Sequence, residues 1–147
     1  MAHYIARVRT DMPVEQAFAF MSDLRNFEDW DPGIVRSVQV RGEGPASDAA
    51  YDLTVENVGR KTTLRYEVTD FEPPNRIRVV GKASLLTSID VIDVSNDGKG
   101  TLVVYDATLV LPFPLSLADK LLARWVQGIF DQAAHGLERA LGGTLVS

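Results

Sequence analysis

The feature that most constrains this chain is an amphipathic segment near its C-terminal end, residues 117–141. Ser116 with Asp119 three residues on is a capping-box start. Gly142-Gly143 is a stop, because glycine takes the left-handed conformation that ends helices. At 1.5 Å per residue such a helix is roughly 37 Å long, about the width of a small domain. At 100° per residue, Ala118, Leu122, Trp125, Ile129, Ala133, Gly136 and Ala140 form one stripe. Leu121 and Gln132 flank it on one side, and Val126, Phe130 and Leu137 on the other. Lys120, Arg124, Gln127, Asp131 and Glu138 face away. A stripe this long needs a broad apolar surface to lie on.

The rest of the chain supplies a sheet. Residues 3–10 alternate, with Tyr4, Ala6 and Val8 on one parity. Thr10-Asp11-Met12-Pro13 opens a helix with Pro13 at its first position, carrying Val14, Ala17, Phe18 and Met21. Ser22-Asp23 begins a second, shorter helical piece with Leu24, Phe27 and Trp30, closed by Asp31-Pro32-Gly33. Six strands follow, joined by short turns. They include residues 34–41, then Tyr51, Leu53 and Val55, then Leu64, Tyr66 and Val68, then Ile77 and Val79. Residues 86–94 change phase, since Ile89 and Val91 lie on one parity and Ile92 and Val94 on the other, which predicts a bulge or strong bend. Asn96-Asp97-Gly98 is a hairpin turn, and residues 102–109 are the last strand, with Val103, Tyr105, Ala107 and Leu109 on its apolar parity. Short turns imply antiparallel neighbours, and a sheet with one apolar face needs a cover there. The expectation is an α+β chain of about seven strands, its antiparallel sheet curled around the terminal helix, with two short helices after the first strand.

At 147 residues, with 46% hydrophobic and 24% charged residues, one domain over residues 1–147 is expected. The net charge of −5 and the lack of a basic run argue against a nucleic-acid partner. Without cysteine there are neither disulfides nor thiolate metal sites. No apolar run approaches a membrane span. The N-terminus lacks a signal peptide's charged start and apolar core, so a cytoplasmic protein is expected.

Pro13-Val14-Glu15-Gln16-Ala17-Phe18-Ala19-Phe20-Met21-Ser22-Asp23, then Asn26-Phe27 and Trp30-Asp31-Pro32-Gly33, resemble the opening helix pair of the SRPBCC superfamily. These are the START-like, helix-grip proteins that include polyketide cyclases, lipid-transfer domains and pollen-allergen-like proteins. Gly100-Thr101 at the start of the last strand and the terminal helix extend the likeness over essentially the whole chain. The resemblance implies a helix-grip fold with a hydrophobic cavity between curved sheet and helix. It leaves function open, because the superfamily holds binders, transporters and enzymes.

No motif points to one chemistry. His3 and His135 have no carboxylate at ligand spacing, so no metal site is expected. There is no nucleophile elbow. Gly42-Glu43-Gly44 leads into a turn rather than a helix, so no phosphate cradle or cofactor is expected. The acidic residues fall mostly on outward strand positions or turns. What remains is a set of polar-tipped side chains on inward faces: Tyr51, Tyr66, Ser88, Tyr105, Trp125 and Gln132. They suit a packed core whose polar tips meet neighbours, or a small-ligand site. With Trp30 at its mouth, Leu64, Val79, Leu121 and Ile129 as apolar lining, and Phe113 of Leu111-Pro112-Phe113-Pro114 as a lid edge, they form the candidate ligand-binding set. The leading expectation is a binder or carrier of a small hydrophobic or aromatic molecule, such as a lipid or polyketide. A cyclase or dehydratase using the same cavity is the alternative. A protein-interaction module with a filled interior is the third reading. A homodimer is left open.

Overall fold

A computed structural model describes residues 2–57, 60–84, 86–110 and 119–147, with the side chains of 57, 60 and 119–126 also outside the described set. In chain order the elements are β1 (Ala2–Thr10), α1 (Val14–Ser22), a 3-10 turn (Leu24–Asn26), α2 (Phe27–Trp30), β2 (Ile34–Arg41), β3 (Ala50–Asn57), β4 (Arg60–Glu72), β5 (Arg76–Ala83), β6 (Leu86–Asn96), β7 (Thr101–Val110), α3 (Asp119–Leu141) and β8 (Thr144–Val146). The strands form one sheet in the order β2-β3-β4-β5-β6-β7-β1-β8. Every recorded pairing is antiparallel. This is the helix-grip fold expected from the sequence, with one strand more.

The additional strand is β8, which pairs Val146 with Arg7 and Thr144 with Arg9. Gly142 stops α3 with a positive φ of 58°. The Gly143 amide then donates to the Glu138 carbonyl at 3.0 Å, and the chain turns back along β1. A Cβ at Gly143 would stand 2.3 Å from the Arg9 carbonyl oxygen, so this return needs glycine. Three residues are too few for alternation to announce a strand.

One sheet face is apolar and buried. Ala6 and Val8, Tyr51 and Leu53, Leu64 and Tyr66, Ile77 and Val79, Ile92 and Val94, and Val103, Tyr105 and Ala107 all point to it. The other face carries cross-strand ion pairs at register partners, such as Arg65 with Asp52 and Arg76 with Asp93. Being exposed and screened by solvent, they contribute little to stability. They make the convex side polar and so help decide which face turns inward.

The bulge expected near Val91 is absent. β6 pairs with β5 and with β7 without interruption, and Ser88, Asp90, Ile92 and Val94 are buried on one parity. Ile89 and Val91 are partly exposed on the convex side. Two inward polar residues, not a slip of register, produced the apparent phase change. The register shifts occur in β2–β3 and β4–β5 instead.

The helices carry two smaller corrections. Pro13, with φ −58° and ψ 150°, precedes α1 instead of opening it. The expected Ser116 cap and the first residues of the long helix lie outside the described set. Asp23 caps the 3-10 turn by accepting the Arg25 amide at 3.1 Å. On α3 the buried side chains are Phe130, Ala133, Ala134, Leu137 and Leu141, while Ile129 and Ala140 are partly exposed. Among the described residues the inward face is thus turned by about one residue step, on the order of 100°, from the expected stripe, towards its Phe130–Leu137 flank. Phe130 stacks on Tyr4 of β1, with ring centroids 4.8 Å apart and planes 4° from parallel.

α3 also packs on α2, at Gly136. A Cβ there would fall 1.7 Å from the Trp30 carbonyl oxygen. Gly128, on the exposed side, meets nothing within 4 Å. Gly136→Ala is therefore expected to cost about 3 kcal/mol or more through overpacking. Gly128→Ala should gain about 0.5–1 kcal/mol from helix propensity. Urea denaturation of the two variants checks this. A Gly136→Ala protein as stable as the wild type would mean that α3 is not seated on Trp30.

Candidate functional site

On the inner face, the strand register builds a polar cluster out of three neighbouring rungs. Tyr66, Gly81, Ser88 and Leu109 stand in one row across β4, β5, β6 and β7. Val79, Asp90 and Ala107 form the next, and Ile77, Ile92 and Tyr105 the third. Gly81 sets the geometry of the first row. A Cβ there would lie 2.5 Å from Cζ of Tyr66, so the phenol ring lies across the glycine towards Ser88. Glycine in mid-strand marks such close approaches.

Asp90 is the centre. It is 2% exposed. The Ser88 hydroxyl donates to its Oδ1 at 2.9 Å and the Tyr105 hydroxyl to its Oδ2 at 3.2 Å. It has no ion-pair partner among the described residues. Trp30 arrives from α2. Its indole stands edge to face with Tyr105, centroids 5.3 Å apart, and tilts against Phe27 at 4.8 Å. The Trp30 Nε1–H is buried and has no acceptor among the described residues. Asp31 follows it, partly buried, and accepts the Gly33 amide at 2.9 Å.

Burial dominates the electrostatics. It pushes the Asp90 carboxyl up to about 7, against the hydroxyls of Ser88 and Tyr105 that favour the charged form, with the negative field of Asp31 adding to the rise. Asp31 is pushed up to about 6, again by burial, with the Gly33 amide pulling the other way. The Tyr66 and Tyr105 hydroxyls are raised well above the ordinary phenol range by burial and by the field of Asp90. The cluster thus holds two acids that change charge near neutrality, two neutral phenols, one hydroxyl and one uncommitted N–H. Such a set can donate hydrogen bonds, accept them, and move a proton at Asp90.

The residues read from the sequence as ligand contacts do not all come together. Ser88, Tyr66, Tyr105 and Trp30 come together in the cluster. Leu64 and Val79 are buried on the same face. Tyr51 is buried too, but its hydroxyl feels Asp23 and Arg25 beside the 3-10 turn, and burial raises it to about 12. Ile129 is partly buried. Gln132 is exposed, because the inward face of α3 is turned away from it, and this corrects its expected inward placement. Phe113 and the side chains of Leu121 and Trp125 lie outside the described residues, as does the whole 111–114 segment. Asp90 and Asp31 were missed. The one available signal for Asp90 was parity: with Ile92 and Val94 inward, residues 88 and 90 must be inward as well.

His3, bonded to Asp106 at 2.7 Å, and His135 are both exposed. No group of three metal-ligating side chains occurs among the described residues, and no described helix is long and apolar enough to cross a membrane. A groove of about 650 Å³ opens elsewhere, between Asp11–Glu15, Pro74, Asn75, Ser95, Asn96, Gly100 and Thr101. Its Ser95 lies seven residues along β6 from Ser88, roughly 23 Å at strand spacing, so it is separate from the cluster.

Residues 1–142 match the family model described as polyketide cyclase / dehydrase and lipid transport. A START superfamily protein from Mycobacterium smegmatis is similar in structure, with a TM-score of 0.77 at 16% identity over 97% of this chain and 98% of that one. TTHA0849 from Thermus thermophilus has a TM-score of 0.68 at 18% identity, over 94% and 98%. The di-domain ARO/CYC StfQ from the steffimycin biosynthetic pathway has 0.67 at 16% identity; the match covers 96% of this chain and 52% of StfQ. No curated protein sequence matches the chain.

The buried acids predict a pH profile. A carboxyl whose folded value lies above its unfolded one binds its proton more tightly when folded. Its penalty is absent below the unfolded value near 4 and grows until the folded value is passed. Between about pH 5.5 and about pH 8, Asp90 alone is expected to lower folding stability by ~2 kcal/mol. Asp90→Asn should remove that loss in urea titrations at the two pH values. An unchanged loss would mean that Asp90 is not the buried acid the geometry makes it.

Proposed function

The chain belongs to the polyketide cyclase / dehydrase and lipid transport family, and from that premise we propose that it binds a small hydrophobic or aromatic molecule between the inner sheet face and α3. The observation that carries this reading is the cluster itself. A core that only packs has no use for an acid, two phenols, a hydroxyl and an unanswered indole N–H gathered on one wall. Leaving a buried donor without a partner costs about 1–3 kcal/mol, and a buried carboxyl without a cation costs more. A ligand that answers the polar groups recovers part of that cost. Apolar lining from Leu64 and Val79 supplies burial at roughly 25 cal/mol per Å². Tyr66, Tyr105, Ser88 and Trp30 fix orientation; Leu121, Trp125, Ile129 and Phe113 complete the contact set in this reading. That balance of apolar wall and few polar groups is typical of small-molecule sites.

A second reading, a cyclase- or dehydratase-type enzyme in the same space, is favoured by one observation. Asp90 is held near 7, where a carboxyl can both give and take a proton at physiological pH. The two readings part at Asp90→Asn, which preserves the shape of the side chain but exchanges one acceptor oxygen for an NH2 donor that cannot take up the acid's proton. In a carrier it leaves ligand release as the only step affected. In an enzyme it abolishes turnover while binding persists.

Thermal unfolding with a broad panel of lipids, aromatic ketones and quinones tests the common premise. A ligand at about one hundred times its Kd stabilises by ~2.7 kcal/mol, which for a chain of this size raises Tm by roughly 5–10 °C. Tyr66→Phe with Tyr105→Phe should reduce that shift by half or more. A panel in which nothing moves Tm or the indole NMR signals would overturn the binding reading.

A further inference from the structure

Which ligand head group suits the cluster follows from its hydrogen-bond inventory and its charge. The Ser88 and Tyr105 protons are committed to Asp90. Tyr66 lies towards Ser88, across Gly81. The Trp30 Nε1–H is the uncommitted group. It is a donor and only a donor, so what it lacks is an acceptor.

The charge decides what kind of acceptor. Among the described residues the groups facing Asp90 are Tyr66 from β4, Ser88 on its own strand, Tyr105 from β7 and Asp31 after α2, and Asp106 of β7 adds its negative field. None is a cation; the negative field of Asp31 raises Asp90, and the fields of both raise Tyr66 and Tyr105. An anionic head group entering here would meet two carboxyls in a low-dielectric site, where repulsion is strongest. A neutral oxygen meets no such barrier. Exclusion of this kind sets specificity as much as attraction does.

We infer that the bound molecule presents an uncharged carbonyl oxygen, as in a ketone or quinone, to the Trp30 Nε1–H, and that Asp90 and Asp31 exclude carboxylate-headed ligands such as free fatty acids. This rests on the binding reading above and narrows it. The apolar body of the ligand then lies along Leu64 and Val79, with the ring of Tyr105 beside its polar end.

Three probes with one aromatic body and different heads test it on the full chain: acetylnaphthalene, naphthoate and naphthylmethylamine. Binding is followed at about pH 8, where both acids are largely ionised, by the indole Hε1 signal of Trp30 in ¹⁵N-labelled protein. Loss of that signal in Trp30→Phe assigns it, and Trp125→Phe, which leaves it alone, assigns it independently. The ketone should move the Trp30 signal downfield and bind at least about tenfold more tightly than naphthoate. Asp31→Asn or Asp90→Asn should raise naphthoate affinity about threefold or more, and Asp31→Asn should leave the ketone within about twofold. Naphthoate binding as tightly as the ketone, or a ketone that binds without moving the Trp30 signal, overturns the inference. The amine binding tightest overturns it in favour of a cationic head. If none of the three binds but members of the broad panel do, carboxylates outranking ketones there would sink the head-group inference alone. Silence across both sets sinks the binding reading beneath it.

Discussion

The structure turns on a contact that has almost no chemistry in it: the backbone of Gly136 against the carbonyl oxygen of Trp30, closer than any side chain would allow. A helix that long can cross a curved sheet at many angles. This contact fixes one of them, because α2 is itself held against α3 and β2. Once Trp30 is trapped by its main chain, its indole has only the inner sheet face to occupy, and it lands edge to face with Tyr105. The Tyr4–Phe130 stack holds the next turn of the helix down on β1. The polar cluster is then closed from above by groups whose positions were set by packing, not by hydrogen bonding.

That closure explains why Asp90 matters energetically. A carboxyl on an open strand would keep its ordinary acidity. Under Trp30 and Tyr105 it is 2% exposed, and among the described residues its ionisation is supported by two neutral hydroxyls. Neutral donors support a buried charge less well than a paired cation does. The fold therefore carries a destabilising group where its core is otherwise continuous. Proteins tolerate such groups chiefly where they are used.

The parts legible in the sequence were those with a strong period or a punctuating residue. The inward parities of β1, β3, β4 and β5, and the helix stop at Gly142, all came from alternation or glycine alone, while the phase change in β6 left the inward side of β7 open. The failures share one cause. β6 was misread because Ser88 and Asp90 broke the hydrophobic count on the inward side, and a count cannot distinguish a polar residue turned inward from a strand slipped by one. The Gln132 misplacement arose because a helical stripe drawn from composition is centred on its bulk. The true centre depends on which turn can approach a neighbour, and Gly136 decided that. β8 was too short to show a period. The site was half visible for the same reason: the phenols and the indole are apolar enough to be counted inward, and the acid between them is not.

A buried polar atom without a partner is by itself weak evidence for a ligand, since Ser22, Ser37 and Tyr51 also have one. The difference lies in freedom of aim and in company. A serine or tyrosine hydroxyl rotates and can settle on a distant or bent acceptor. Tyr51, moreover, points towards the 3-10 turn, among charged groups that adjoin solvent. The indole N–H is rigid in its ring, so the direction of its missing acceptor is set as soon as the ring is held, and here Phe27 and Tyr105 pack against the ring while Gly136 fixes the backbone that carries it. Beside it stands an acid that burial has brought to the edge of neutrality. A core seeking only stability would replace that pair with phenylalanine and leucine and become tighter for it. Their joint presence, at the one place where α2, α3 and the sheet converge, is what makes this wall a recognition surface rather than a flaw in packing.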